Sequence, residues 1–597
     1  MNSGLLALGT LMIAAPSLAQ PAPDPLAPLP VNSQPAGSSP ILYPAPQPTL
    51  QPPLQPALQP APPPVPTVAA PKDWRGVFDA IDDGNWATAR AGIASLPQGV
   101  LTPVAKAELY TAKDSPTVDV GSLQALIAEA PELPQADQLA QMALRRGATE
   151  PPLVIPERAT VNLGFAPVRY RAKPVAGEPA ADALRATLDS YVKADDASGA
   201  EAQLITAAPQ LSYEARSEAG ARVAFVYYVL GLDLDARRVA DTWRQGASGD
   251  WASQAAWVSG LASWRLGNYN AASASFQQVA AIAQQRELRA GGFYWAARAE
   301  QAAGRPRSVE NLMRSAATSP ESFYGLLALE TLGMRTKLPD DPFLSFDPAI
   351  GQLPNVKRAI ELAKIGETTL AEEMLRHQAR ICAPSEHHAL IQLAKRLDLP
   401  AAQLWLANNG QPGARSDPTD RYPNPRWSPV NGWRVDPALA FGHIIQESSF
   451  RRTAVSTAGA VGLMQVLPIT AQQVSDRRGV PYTRASLTDP RFNLEYGQSF
   501  IEMMRGSSAT AGQLPRVIAS YNAGPLPVAR WATINDKGDP LLWIESIPYW
   551  ETRYYVPSVM RYMWVYQGLN NEDTSSLKAM AEHRWPLFPT GMTKLTN

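Results

Sequence analysis

The chain has 597 residues, enough for several separate cores. Its 53 basic and 54 acidic side chains nearly cancel, so no global field argues for a nucleic-acid partner. One cysteine, Cys382, excludes an intramolecular disulfide framework and a Cys-rich metal site. His377, His387, His388, His443 and His583 lack the spacing of a helical zinc motif, so neither metal nor cofactor is expected.

Taken in chain order, residues 1–19 read as an export signal. Residues 5–15 are apolar but too few to span a bilayer, and Pro16-Ser17-Leu18-Ala19 supplies the small residues of a cleavage site. No Lys or Arg precedes the apolar run, a departure from the usual pattern. No cysteine follows it to carry a lipid anchor, so the expected product is exported, soluble and periplasmic. Residues 20–72 are dominated by Pro, Ala, Gln and Leu. Proline fixes φ and removes donors, so this stretch reads as an extended tether.

From residue 73 to 412 the pattern predicts short Ala- and Leu-rich helices broken at glycine. Gly84-Asn85-Trp86 and Gly267-Asn268-Tyr269 share one turn format, with helices predicted over 257–266 and 271–282. Residues 292–304 read as a further helix ending at glycine, and 361–376 as helix–Gly–helix. Paired helices of this kind bury both apolar faces only by stacking, which predicts a degenerate α-superhelix. Trp257, Trp264, Tyr294 and Trp295 are expected between helices. The turn-rich run around 411–425 marks a boundary, leaving residues 413–570 as the segment that carries chemistry and 571–597 as a tail without a chemical motif.

Asp436-Pro437 opens a helix with an N-cap and a first-position proline. Ala438, Leu439, Ala440, Phe441, Ile444 and Ile445 make it apolar over most of its surface, so it should be buried. Glu447 falls on the same side as His443 and Ile444. By itself such a glutamate is either ordinary, on a solvated C-terminal turn or paired with Arg451 or Arg452, or a desolvated acid with a raised pKa. Further blocks follow: Ser448 beside the acid, Ser456, Gly459 to Gln465 and Pro468 to Thr470, then Asp489 and Asn493, Tyr521-Asn522-Ala523-Gly524, and Glu545 to Tyr555.

In this order and spacing the blocks resemble the soluble lytic transglycosylase family of the lysozyme superfamily, over residues 422–566. The helical region before them is similar to that family's ring-shaped superhelix, less specifically. The implied fold is mainly α: an N-terminal superhelix and a C-terminal lysozyme-like α+β domain dominated by helices. The resemblance implies Glu447 as the catalytic acid and base, with Ser448, Ser456, Gln465, Thr470, Tyr521, Asn522, Glu545 and Tyr555 as substrate-binding residues. Met464, Asp489, Asn493 and Gly497 read as structural. Ser520 and the Leu526-Pro527 pair depart from the family pattern.

The implied reaction cleaves the β-1,4 bond between N-acetylmuramic acid and N-acetylglucosamine, leaving a 1,6-anhydromuramoyl end. No second carboxylate occupies an equally recognisable motif, which favours transglycosylation over hydrolysis by a muramidase of the same fold. A non-catalytic wall-binding scaffold is the third reading. The expected partners are peptidoglycan glycan strands, and cell-wall proteins that the superhelix or the Pro-rich tether would engage.

Overall fold

The computed structural model describes residues 69–334, 338 and 348–589. The expected signal segment, most of the tether and the last eight residues lie outside that set. The first helix, Trp74–Asp82, starts where Asp73 accepts a hydrogen bond from the Gly76 amide at 2.8 Å. Short helices follow almost without interruption. Between Gly249–Arg265 and Tyr269–Ile282 the chain reverses at Gly267, whose φ of 72° lies in the left-handed region. The Asn268 side chain then caps the next helix through the Ala271 amide.

The helix expected to begin near Gly292 instead runs through it, as Arg286–Ala302. A Cβ at Gly292 would lie 2.7 Å from the Ala280 nitrogen and 2.9 Å from the Phe276 carbonyl oxygen. The glycine is therefore what lets this helix approach the backbone of Tyr269–Ile282. Trp257, Phe276 and Trp295 pack around that contact with ring centroids 5.4–5.6 Å apart.

Two apolar cores organise the described chain. One joins the early helices, Trp74–Asp82 to Ala136–Arg145, to the late ones, Pro354–Ile365 to Pro400–Asn408. The superhelix thus closes on its own start. Arg358 and Glu132, both buried, pair at 2.6 Å across this contact, and the Asn355 side chain donates to the Glu132 carbonyl. The second core joins the middle helices, Pro179–Lys193 to Phe323–Thr331, to residues 422–588.

Residues 151–178 contain no helix, although they fall inside the expected helical region. Pro151, Pro152, Pro156, Pro167 and Pro174 explain why. The segment is an extended strap whose backbone groups find partners on other elements. Arg158 donates to the Arg380 carbonyl, Val161 and Asn162 pair antiparallel with Gly410 and Asn409, and Val175 donates to Glu218. That pair of two-residue strands is the one sheet among the described residues.

Beyond residue 422 the fold is again helical, with isolated β-bridges at Val455–Val461 and Val461–Val466. Residues 571–589 are packed rather than trailing. Ser575–Ala581 forms a helix that buries Leu577 and Met580, and Trp564 donates to Ser576. No helix of the described residues is long and apolar enough to cross a membrane.

Candidate active site

The Pro437–Ser448 helix begins with the Asp436 side chain accepting from the Ala438 amide at 2.8 Å. It buries every residue from Ala438 to Ile445. It lies close against the long helix Trp550–Leu569, because a Cβ at Gly442 would be 2.9 Å from the Val559 carbonyl oxygen. Ser449 and Phe450 both take positive φ, turning the chain sharply as the helix ends. Glu447 stands on the last turn before this break, half-buried.

Neither nearby arginine neutralises Glu447. Arg451 turns back to donate to the Ser448 carbonyl, and Arg452 reaches Thr368 at 2.6 Å. The Tyr555 hydroxyl donates to Glu447 Oε1 at 2.5 Å, which by itself favours the carboxylate. Burial outweighs that bond, and the charge of Glu551 adds to it. Together they raise the Glu447 pKa to about 7 from 4.5. A carboxyl that is still about half protonated at neutral pH can donate a proton.

Behind Tyr555 sits His443, with Nδ1 2.7 Å from the same phenolic oxygen. The imidazole is fully buried, and burial pushes its pKa down to about 3, so it is neutral. Tyr521 covers it with ring centroids 4.4 Å apart. The Tyr521 hydroxyl is itself committed to the Met464 carbonyl at 2.7 Å. Burial, with the nearby Glu447 charge adding to it, raises the Tyr521 pKa well above its usual value.

The segment carrying Gln465 is held from below. Asn493 accepts from the Met464 amide and donates to the Val461 and Leu487 carbonyls, so one buried side chain ties three turns together. Gln465 takes a φ of 47°, and its amide nitrogen donates to Ala454 and Gly462. Ser456 accepts from the Ala460 amide. Thr470 is half-exposed on the first turn of Pro468–Arg478. Asn522 donates to Glu551 at 3.2 Å and accepts from Thr552 at 2.6 Å.

Two residues expected at the substrate are placed elsewhere. Ser448 is 1% exposed, and its hydroxyl bonds the Ile444 carbonyl within its own helix. Glu545 is 2% exposed. Arg169 from the strap grips both its oxygens at 2.9 Å, while Trp257 and Tyr324 donate to it at 3.0 and 2.6 Å. Arg169 is itself sandwiched between the Trp257 and Tyr554 rings. The short helix Pro540–Glu545 therefore ends in a knot with the superhelix and has no oxygen left for a sugar.

His443 and Glu551 are side chains beside this cluster that motif reading does not single out. Placing His443 four residues before Glu447 signalled only a shared helix face. The signal for Glu551 was weaker, one acidic residue among several. Among the described residues no group of three His, Cys, Asp or Glu side chains converges as metal ligands would.

Residues 429–544 match the family model described as the transglycosylase SLT domain. Residues 429–544 thus carry an SLT-type transglycosylase domain. The soluble lytic murein transglycosylase of Salmonella typhimurium is 28% identical over 308 residues, covering 49% of this chain and 45% of the relative. The chain thus spans about half the length of the curated relatives it matches. Likeness of fold extends further. An inactive mutant of the lytic transglycosylase Slt from Pseudomonas aeruginosa aligns over 83% of this chain and 86% of its own, at TM-score 0.51 and 20% identity. The 70 kDa soluble lytic transglycosylase of Escherichia coli aligns over 86% and 98%, at TM-score 0.51 and 16% identity. The fold is thus a superhelix joined to a lysozyme-like domain, and the SLT domain holds Glu447, Gln465 and Tyr521 while Tyr555 comes from the helix that follows it.

Proposed function

We propose that this chain is a lytic transglycosylase of peptidoglycan, with Glu447 as its acid and then its base. The observation that carries this reading is a half-buried carboxyl without a cation, held protonated near neutrality by burial and bonded to a tyrosine. Glu447 gives its proton to the oxygen linking N-acetylmuramic acid to N-acetylglucosamine, and that bond breaks. The acetamido oxygen of the muramic residue stabilises the anomeric centre. Glu447, now ionised, takes the proton of the muramic C6 hydroxyl as that oxygen closes on the same carbon. The product is a 1,6-anhydromuramoyl end, and closure within one sugar needs no held water.

Ser456, Gln465, Thr470, Tyr521 and Asn522 line the path of the glycan in this reading, and Tyr555 orients the acid. Ser448 and Glu545 are assigned to the fold. The export signal expected from the sequence supports a periplasmic reaction, and the relatives' names support murein as the substrate.

A hydrolytic muramidase is the second reading, favoured by Glu551. Its charge reaches Glu447 from an exposed first turn, where a carboxylate could activate water. Mass spectrometry of digested sacculi separates the two. Anhydromuramoyl ends are expected, and E447Q should leave a folded protein with cleavage reduced by at least about a hundredfold. Reducing ends alone would establish hydrolysis. Full activity in E447Q would move the acid elsewhere.

A further inference from the structure

We propose that His443 is a positioning residue that acts through Tyr555 to keep the acidic proton of Glu447 on Oε2, the oxygen that Tyr555 does not bond. This deepens the proposed acid role of Glu447 and rests on it. The geometry is a row of three side chains, His443 Nδ1 to Tyr555 Oη at 2.7 Å and Tyr555 Oη to Glu447 Oε1 at 2.5 Å.

Tyr555 has a single proton to give, and the row has two ways to use it. If His443 carries its hydrogen on Nδ1, it donates to the phenolic oxygen. Tyr555 then donates to Glu447 Oε1, and the carboxylic proton must reside on Oε2, available to a leaving oxygen. If His443 carries its hydrogen on Nε2, Nδ1 becomes an acceptor and draws the tyrosine proton to itself. The phenolic oxygen must then accept from Glu447, and the acidic proton is spent inside the protein. Once Glu447 ionises, the first arrangement alone satisfies both bonds, since a carboxylate has no proton to return.

The surroundings support a neutral ring. Tyr521, from Leu514–Ala523, faces the imidazole from one side, and Tyr555, from Trp550–Leu569, faces it from another. Glu447 on its own helix and Glu551 beyond it are the acidic groups of the cluster. A charged imidazolium would need desolvation at a site 1% exposed. The neutral ring, by contrast, packs against Tyr521 and can donate from Nδ1 to Tyr555.

The tautomer is measurable in the full chain without turnover. Long-range nitrogen–proton correlation of 15N-histidine-labelled protein should show His443 with its hydrogen on Nδ1 from about pH 5 to about pH 8. A hydrogen on Nε2, or titration to the imidazolium across that range, would overturn the proposal. Kinetics supply a second arm. H443F keeps an apolar ring against Tyr521 but removes the donor. It should lower kcat by about tenfold, leave KM within about twofold and shift the pH profile. H443Q, which restores an N–H, should recover part of the loss. In a Y555F background H443F should cost nothing further, because the path to Glu447 is already cut. An undiminished loss in that background would mark His443 as a packing residue and overturn the proposal. Activity retained in E447Q would instead defeat the acid assignment, leaving the tautomer result to stand separately.

Discussion

Glu447 sits where two demands on one carboxyl conflict: the fold prefers it neutral, and the second half of the proposed reaction needs it charged. Its pKa is raised from 4.5 to about 7, so the folded state binds this proton more tightly than the unfolded chain does. The stability associated with the neutral form is complete below about pH 4.5 and is lost as pH rises through about 7. E447Q removes the charged form altogether. Its melting temperature should exceed the native protein's at pH 8 and converge with it near pH 4, which paired thermal melts would read. Equal differences at both pH values would show that burial does not set this pKa. In the proposed acid role the same pKa governs activity. kcat/KM should fall as pH rises above about 7, when the acid is lost. E551Q, which removes a neighbouring negative charge, should move that fall to lower pH.

At the scale of elements, the sequence makes local features legible and long-range pairings opaque. Asp436-Pro437 and the apolar run to Ile445 announce a buried helix, and the observed Pro437–Ser448 follows from them. Gly267 announces a turn because its left-handed backbone is a local requirement. Glu545 illustrates the opposite case. Its motif neighbours suggest the groove, but its partner Arg169 lies 376 residues earlier, in a strap that composition alone places among helices. No local pattern reports an ion pair of that separation. Likewise the tie from Tyr555 to His443 crosses 112 positions, so the helix-face argument for His443 stops short of its hydrogen bond. The Glu545 knot is testable as an anchor. R169M leaves a buried carboxylate without its cation, which should destabilise the protein by about 3–5 kcal/mol. E545Q should also lower the melting temperature while leaving KM for glycan strands unchanged. A rise in KM with unaltered stability would return Glu545 to the substrate.

For the whole molecule, the two cores imply that its stability is divided. The early and late superhelical helices depend on each other, while the middle helices share their interior with the SLT domain. Glu132 and Arg358 join the two ends of the first core, and both are nearly excluded from water. Replacing Glu132 by alanine strands the Arg358 guanidinium, whose remaining side-chain partner is Asn355 at 2.8 Å. A buried charge left in that state costs several kcal/mol, and the cost falls on the elements that must open to hydrate it. Hydrogen exchange should therefore accelerate in Val120–Glu129, Ala136–Arg145 and Pro354–Ile365, by about a hundredfold or more in the amides that open locally. Protection in Pro437–Ser448 and Trp550–Leu569 should stay at its native level, because those helices draw on the other core. Uniform acceleration across both groups would mean that the superhelix and the SLT domain unfold as one cooperative unit. The selective pattern would mean that the closure of the superhelix can loosen while the geometry around Glu447 is maintained.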